Sequence, residues 1–372
     1  MNITIVGAGN MGLAMTAYMA VKGKAKIKLF TGKSIKKLYL NIVESDIKES
    51  TTNFCTTDDP EYAFSDADMV FVTYPAFLRK VFIEKNKNYF KAGSFLGFVP
   101  GYGGAEYSCT ELINKGVYVF GLQRVPYVAR ATEGSEGKTA GILSSKKELF
   151  VGTIPKAKTA EVAVLIEKLL DIPTTSLHEY LSITLAPSNP LLHITGLYNV
   201  FKDYKPGDVF PTQLRFYEEW NDETSELLFK YDEELQEICH KLTPLDMREV
   251  VPLPVYYESP TPAEMTKKLK SIPSFKAVMV PLKETEKGYL PDLDSRMFVE
   301  DYPYGVCIIK DFALLLGVKT PTIDHLLKFY EKLSGHRYYN EDGTYTEEIG
   351  GTGVPRINGL NSKEEIIQFY HR

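Results

Sequence analysis

Three groups of residues have types and spacings that could do chemistry. The first is Gly7-Ala8-Gly9-Asn10-Met11-Gly12, the spacing G-x-G-x-x-G, placed behind an uncharged β-branched run and ahead of a good helix former. Strand, glycine turn and helix in that order are what a dinucleotide-binding turn requires. Gly7 permits the tight turn, Gly9 lets the backbone approach a pyrophosphate, and Gly12 lets the helix lie close to the strand. Asn10 and Met11 then open a helix whose N–H groups would face the phosphates. Glycines also occur in turns that bind nothing, so the reading rests on the strand before and the helix after.

The second group is Gln123-Arg124-Val125-Pro126-Tyr127-Val128-Ala129-Arg130, which follows a predicted strand. Two arginines at a strand end could grip substrate carboxylates bidentately, with Gln123 beside them; ordinary surface ion pairs explain them equally well. The third group lies far downstream. Ser188-Asn189-Pro190-Leu191-Leu192-His193 puts a histidine inside an apolar stretch, and Asp294 to Gly305 holds Arg296, Glu300 and Asp301 within a dozen residues. A reductase of a carbonyl or imine needs a proton donor beside the hydride acceptor, and a histidine held by a carboxylate fills that role at neutral pH. His193 with Asp301 is the most economical pair. The plainer alternatives are a satisfied core histidine and a helix N-terminus with favourable acids.

These residues need elements to hold them. Residues 3–6, 26–30, 68–75, 93–99 and 117–122 read as strands, with helices from 13, from 76 and over 160–170, and two further strands between 137 and 153. The alternation predicts an α/β fold with a doubly wound parallel sheet. In such a sheet the second strand meets the adenosine ribose. An NAD site would place an acid there, but this strand runs into Thr31-Gly32-Lys33-Ser34 with no acid before Glu44. Thr31, Lys33 and Ser34 suit a 2′-phosphate, so NADP(H) is expected over NAD(H). Tyr74 and Pro75 end the third strand. Pro100-Gly101-Tyr102-Gly103-Gly104 forms a second glycine turn at a strand's carboxyl end, where the backbone would pass the nicotinamide half. Near residue 180 strand-like runs become rare. Helices are expected over 211–242, with Trp220, Leu227, Leu228, Tyr231, Leu235 and Ile238 as a core stripe, and over 262–269, 306–316 and 322–334. The tail from 335 reads as loops and one short helix. The expected domains are 1–180, a Rossmann dinucleotide-binding domain, and 181–372, an all-α substrate and catalytic domain.

Bulk properties narrow the class. The 372 residues exceed one ordinary domain, and 44% hydrophobic with 24% charged content allows sizeable cores. A net charge of −5 with mixed signs argues against nucleic acid or an anionic membrane as a general partner. Cys55, Cys109, Cys239 and Cys307 are far apart, show no metal spacing and read as reduced thiols. A core strand at the very start and no apolar run of 18 or more residues lead to the expectation of a soluble cytoplasmic protein.

Taken together, the sequence resembles the opine dehydrogenase family, the octopine and nopaline dehydrogenase-like enzymes. The resemblance is carried by the Gly7–Gly12 turn, Pro100-Gly101-Tyr102-Gly103-Gly104, Pro126-Tyr127 with Arg130, and Asn189-Pro190-Leu191-Leu192-His193. It continues through Phe216-Tyr217-Glu218, Asp232-Glu233-Glu234 and Ser295 to Gly305. N-P-x-x-H combined with R-x-x-x-E-D-x-P-x-G is its most specific part. The resemblance implies a Rossmann domain joined to a helical domain with substrate between them, and a homodimer. It also implies condensation of an amino-acid amine with a 2-oxo acid and reduction of the imine by NAD(P)H. His193 would then be the general acid/base, Asp301 its orienting carboxylate, and Arg296 a carboxylate clamp. Two departures, Arg124 in place of a hydroxyl residue and Ala129 in place of Cys, fall at the expected substrate pocket; Arg124 suggests an extra or larger anionic group on one substrate. Two other readings use the same residues: a ketopantoate-type 2-oxo acid reductase with no amine substrate, and a non-catalytic NADP(H)-binding sensor.

Overall fold

The computed structural model describes residues 1–133, 137–186 and 188–372. It divides into two compact units, Met1–Thr184 with Ile367–Arg372, and Leu185–Ile366. The chain thus leaves the first unit after Thr184 and returns to it for its last residues.

The first unit holds strands β1 (Asn2–Val6), β2 (Lys26–Phe30), β3 (Leu38–Ile42), β4 (Ile47–Thr51), β5 (Phe54–Thr57), β6 (Met69–Val72), β7 (Phe95–Phe98), β8 (Tyr118–Leu122), β9 (Tyr127–Glu133), β10 (Lys138–Ser145), β11 (Leu149–Ile154) and β12 (Thr174–Ser176). Eight of them form one sheet in the order β12-β11-β8-β7-β6-β1-β2-β5. From β8 to β5 neighbours are parallel, and β11 runs antiparallel to β8. The chain moves outward from β1 through β2 to β5, then resumes at β6 on the other side of β1. The carboxyl ends of β1 and β6 therefore flank the point where the winding reverses, which is where open α/β sheets bind ligands.

Why these runs become strands follows from their burial. Ile3, Ile5 and Val6 of β1 and all four residues of β6 are fully buried, so the strands read as continuous apolar runs and not as alternating ones. Helix α1 (Asn10–Val21) is buried from Gly12 through Ala17 and at Met19 and Ala20. A helix apolar on all sides needs cover on all sides. A second sheet, in the order β4-β3-β10-β9, packs on α1 opposite the first, and the two share one apolar core through Leu13, Met15, Ile27, Leu40 and Ile142. The sequence pattern does not reveal β3, β4 and β5. β4 is Ile-Lys-Glu-Ser-Thr, a charged, exposed edge strand, and charge is how edges are protected from pairing further.

The second unit is mostly helical, with its longer helices at Ser188–Phe201, Asp222–Lys241, Pro262–Ser271, Cys307–Leu316 and Pro321–Ser334. It also contains a hairpin, Leu282–Thr285 with Gly288–Pro291, that the all-α expectation lacks. The helix expected over 211–242 is shorter. It begins only after Asn221, whose side chain accepts from Thr224 N at 2.9 Å, and residues before it pair instead through Arg215 with Met279. An Asn-Asp cap placed inside the apolar period outweighs the earlier Pro211 as a start signal. Trp220, Leu228, Tyr231, Leu235 and Ile238 are buried as a core. Among the described residues no helix is long and apolar enough to cross a membrane.

Candidate active site

In the first unit the turn after β1 has the geometry that the G-x-G-x-x-G spacing predicts. Gly7 sits at φ 103° with its N–H donating to Phe30 O at 3.1 Å. A Cβ on Gly12 would lie 1.8 Å from Gly7 O, so no larger residue permits this contact between helix and turn. Helix α1 starts from Gly9 with no side chain capping it and no acid in its first turn. Nothing lies within 4 Å of where a Gly9 Cβ would be. Open space above an uncapped N-terminus of a twelve-residue helix fits a pyrophosphate. Asn10 has a structural tie as well: its Oδ1 accepts from Ala131 N at 2.9 Å, fastening α1 to β9. Met11 is half-buried against the core.

The other residues assigned to the cofactor surround the same sheet edge. Thr31 ends β2 and its Oγ1 accepts from Lys33 N at 3.2 Å, leaving Lys33 and Ser34 exposed. Glu44, the first acid downstream, is turned to Ser145 N at 3.0 Å. The fold brings up an acid the sequence does not place there: exposed Glu133, held below the usual carboxylate range chiefly by Lys138 and also by Lys33. Tyr74 lies over Gly7, 3.1 Å from a Cβ built there, and Pro75 precedes the helix Ala76–Asn86. Pro100 and Gly101 follow β7; Gly101 N donates to Leu122 O at 2.7 Å and its carbonyl accepts from Tyr180 at 3.0 Å.

Gln123 prolongs the β8 pairing through Phe150 O at 2.9 Å, with Arg124 half-buried beside it. Arg130 is exposed on β9, whose alternate residues Tyr127 and Ala129 are buried. Ala129 belongs to the apolar core around α1, and this corrects its assignment to a substrate pocket: alternation along β9 turns it inward.

In the second unit the histidine and the aspartate do meet. His193 Nδ1 donates to Asp301 Oδ2 at 2.8 Å, across 108 positions of sequence. The motif residues explain how. Pro190 opens the helix carrying His193, one turn ahead of it. Gly305 lies under Pro190, where a Cβ would stand 2.5 Å from the proline ring. Between Asp301 and Cys307 the backbone makes a wide π-helical turn, Tyr302–Val306, closed by Val306 N donating to Asp301 O at 3.0 Å. Such turns commonly mark functional sites because they re-aim a side chain. The edge of the His193 ring meets Phe216, with centroids 5.8 Å apart, so the Phe-Tyr-Glu motif supplies a wall that its sequence alone does not announce.

Burial pushes the Asp301 carboxyl up from its ordinary range, while the bond to His193 and its charge pull the other way. The Asp301 side chain is 6% exposed and that of His193 16%, so the imidazole is the more accessible of the two. The arrangement is that of an oriented acid/base: Nδ1 is engaged, and Nε2 is left to give or take a proton. Arg296 is anchored at one edge, its Nε donating to Glu300 at 2.5 Å. Glu300 is 2% exposed and the arginine 64%, so Arg296 faces solvent. Two other motif residues are structural: Asp232 accepts from Leu253 N at 2.8 Å, and Glu234 caps the helix Pro321–Ser334 through Thr322 N and Ile323 N at 2.6 and 3.0 Å.

A doubly wound dinucleotide-type unit, and a helical unit carrying an oriented histidine, define a nicotinamide-dependent oxidoreductase. Residues 176–334 match the family described as NAD/NADP octopine/nopaline dehydrogenase, alpha-helical domain. The chain is similar to opine dehydrogenases through this domain and along almost its whole length. The tauropine dehydrogenase of Arabella iricolor is 24% identical over 98% of this chain and 99% of its own. Among solved structures, an octopine dehydrogenase described with NADH and pyruvate superposes with a TM-score of 0.86 at 20% identity, covering 98% of this chain and 97% of that one. An NADP+-bound yersinopine dehydrogenase gives 0.68 at 14% identity, covering 99% of each.

Proposed function

We propose that this protein joins the amine of an amino acid to a 2-oxo acid and reduces the resulting imine, giving a secondary amine. The observation that carries the proposal is the His193–Asp301 bond at 2.8 Å, supported by the glycine turn and by the opine dehydrogenases the chain resembles. A nicotinamide dinucleotide, when bound, supplies the hydride. Gly7, Gly9, Gly12 and the open N-terminus of α1 would hold its pyrophosphate. His193 gives a proton to the oxygen of the adduct as water leaves, and Asp301 balances the charge that the imidazolium carries before the transfer. Arg296 and the Gln123, Arg124 and Arg130 group are proposed to receive substrate carboxylates, with Arg124 selecting a substrate that bears an additional anionic group.

Of the two cofactors we favour NADPH. Thr31, Lys33 and Ser34 offer donors and a positive charge at the end of β2, where NAD-preferring sites place an acid. The test is consumption of NADPH by purified protein given a panel of 2-oxo acids, with and without a panel of amino acids. Turnover that needs both acids supports the proposal, whereas equal turnover without an amine points to a simple 2-oxo acid reductase. Faster turnover with NADH than with NADPH would reverse the cofactor assignment alone.

A further inference from the structure

Arg79 lies on the helix Ala76–Asn86 and is 1% exposed, unusual for a side chain that is always charged. Burying a guanidinium is costly unless its donors are matched. Here its Nε donates to Tyr74 O at 3.0 Å, Nη1 donates to Tyr102 O, and the group lies over the Phe98 ring at 5.7 Å. The buried Glu106 carboxyl faces its charge.

The two carbonyls belong to different loops. Tyr74 follows β6, and its ring lies over Gly7 of the glycine turn. Tyr102 follows β7 in the second glycine turn. One side chain therefore fastens together two loops at the carboxyl ends of adjacent strands, and one of those loops touches the turn after β1. An apolar side chain could fill the same space. Only a rigid, planar fork of donors fixes two carbonyls at a set separation. Glu106 backs the second loop from behind, its Oε1 accepting from Tyr370 at 3.0 Å and from Thr184.

We propose that Arg79 is a positioning residue for the dinucleotide: by bonding the Tyr74 and Tyr102 carbonyls it holds the loops after β6 and β7 at the spacing that the nicotinamide half of the cofactor needs. This rests on the dinucleotide assignment above. The test is a titration of full-length wild type, Arg79→Lys and Arg79→Met with NADPH, following NADPH fluorescence, together with steady-state kinetics. Arg79→Met should weaken NADPH binding about tenfold or more, the scale of a lost hydrogen bond to a charged group. Arg79→Lys, which keeps the charge and one donor, should fall between the two. For Arg79→Lys, KM for NADPH should rise while kcat at saturating NADPH stays near wild type; a general loss of structure would lower kcat and leave KM alone. Any folded Arg79 variant that binds NADPH as wild type does overturns the proposal. Should neither variant fold, hydrogen exchange on wild type decides. NADPH must slow exchange at residues 74–77 and 101–104 together, and protection confined to the β1 turn contradicts the brace. A wild type that binds neither NADPH nor NADH would instead sink the dinucleotide assignment, and the brace with it.

Discussion

Asp301 is where the proposed chemistry is most exposed to a single substitution. Its carboxylate sets which ring nitrogen of His193 is engaged and balances the imidazolium, so Asp301→Asn keeps the shape and removes the charge. The expected outcome is a fall in kcat of about 10²- to 10⁴-fold, the usual worth of a positioned acid/base, with little change in the far-ultraviolet dichroism. A kcat within twofold of wild type would remove the pair from the mechanism. His193 and Asp301 were legible in the sequence because a histidine in an apolar helix and an acid pair in a Pro-Gly segment are both unusual locally. Their surroundings were not. The partnership of Arg296 with Glu300 sits in one short segment, yet nothing in the spacing says that the glutamate is the buried member and the arginine the solvent-facing one. Glu133 near Lys33 depends on strand pairing 100 positions apart, which no local pattern encodes.

At the scale of elements, α1 and its turn form the most constrained feature. Gly12→Ala would place a methyl group 1.8 Å from Gly7 O, and because that atom is backbone the helix itself must move. Overpacking of this kind costs about 1–3 kcal/mol. The variant should melt at a lower temperature and lose NADPH binding in a fluorescence titration; unchanged binding would detach the turn from the cofactor. Elements with strong apolar periodicity were readable, among them β2, the helix Thr159–Leu170 and the helix Pro321–Ser334. Those that failed have physical reasons. β3 and β4 form partly exposed strands whose meaning lies in covering α1, and β5 is a half-buried edge strand that pairs only with β2; both are tertiary demands. The start of the helix Asp222–Lys241 was misplaced because a capping asparagine overrode an apolar period that extends beyond it.

For the whole molecule, buried carboxyl groups give stability a pH dependence of known sign. Burial pushes Glu106 up to about 7 from an ordinary 4.5, and Asp232 up to about 6 from 3.8. With the folded value above the unfolded one, the folded state binds the proton more tightly, so this stabilisation is full below the unfolded value and is lost as pH rises through the folded one. At about 1.4 kcal/mol per unit, Glu106 contributes on the order of 3 kcal/mol to this slope. Glu106→Gln, which mimics the neutral acid, should flatten the decline in melting temperature between pH 5 and 8 without abolishing it, since Asp232 remains; an identical slope would show that Glu106 does not titrate there. The α/β character of the first unit and the helical character of the second were both evident from composition and period. The return of Ile367–Arg372 to the first unit is evident only in the fold, because it depends on Tyr370 reaching Glu106 across 264 positions.

The central claim is that an amine and a 2-oxo acid are joined and reduced. The most direct measurement is mass spectrometry of the product formed from NADPH, a 2-oxo acid and an amino acid, run beside the same mixture without the amino acid. The account predicts a secondary amine whose mass equals the two acids less one oxygen atom, formed only when both are present. A 2-hydroxy acid produced at the same rate with or without the amine would contradict it.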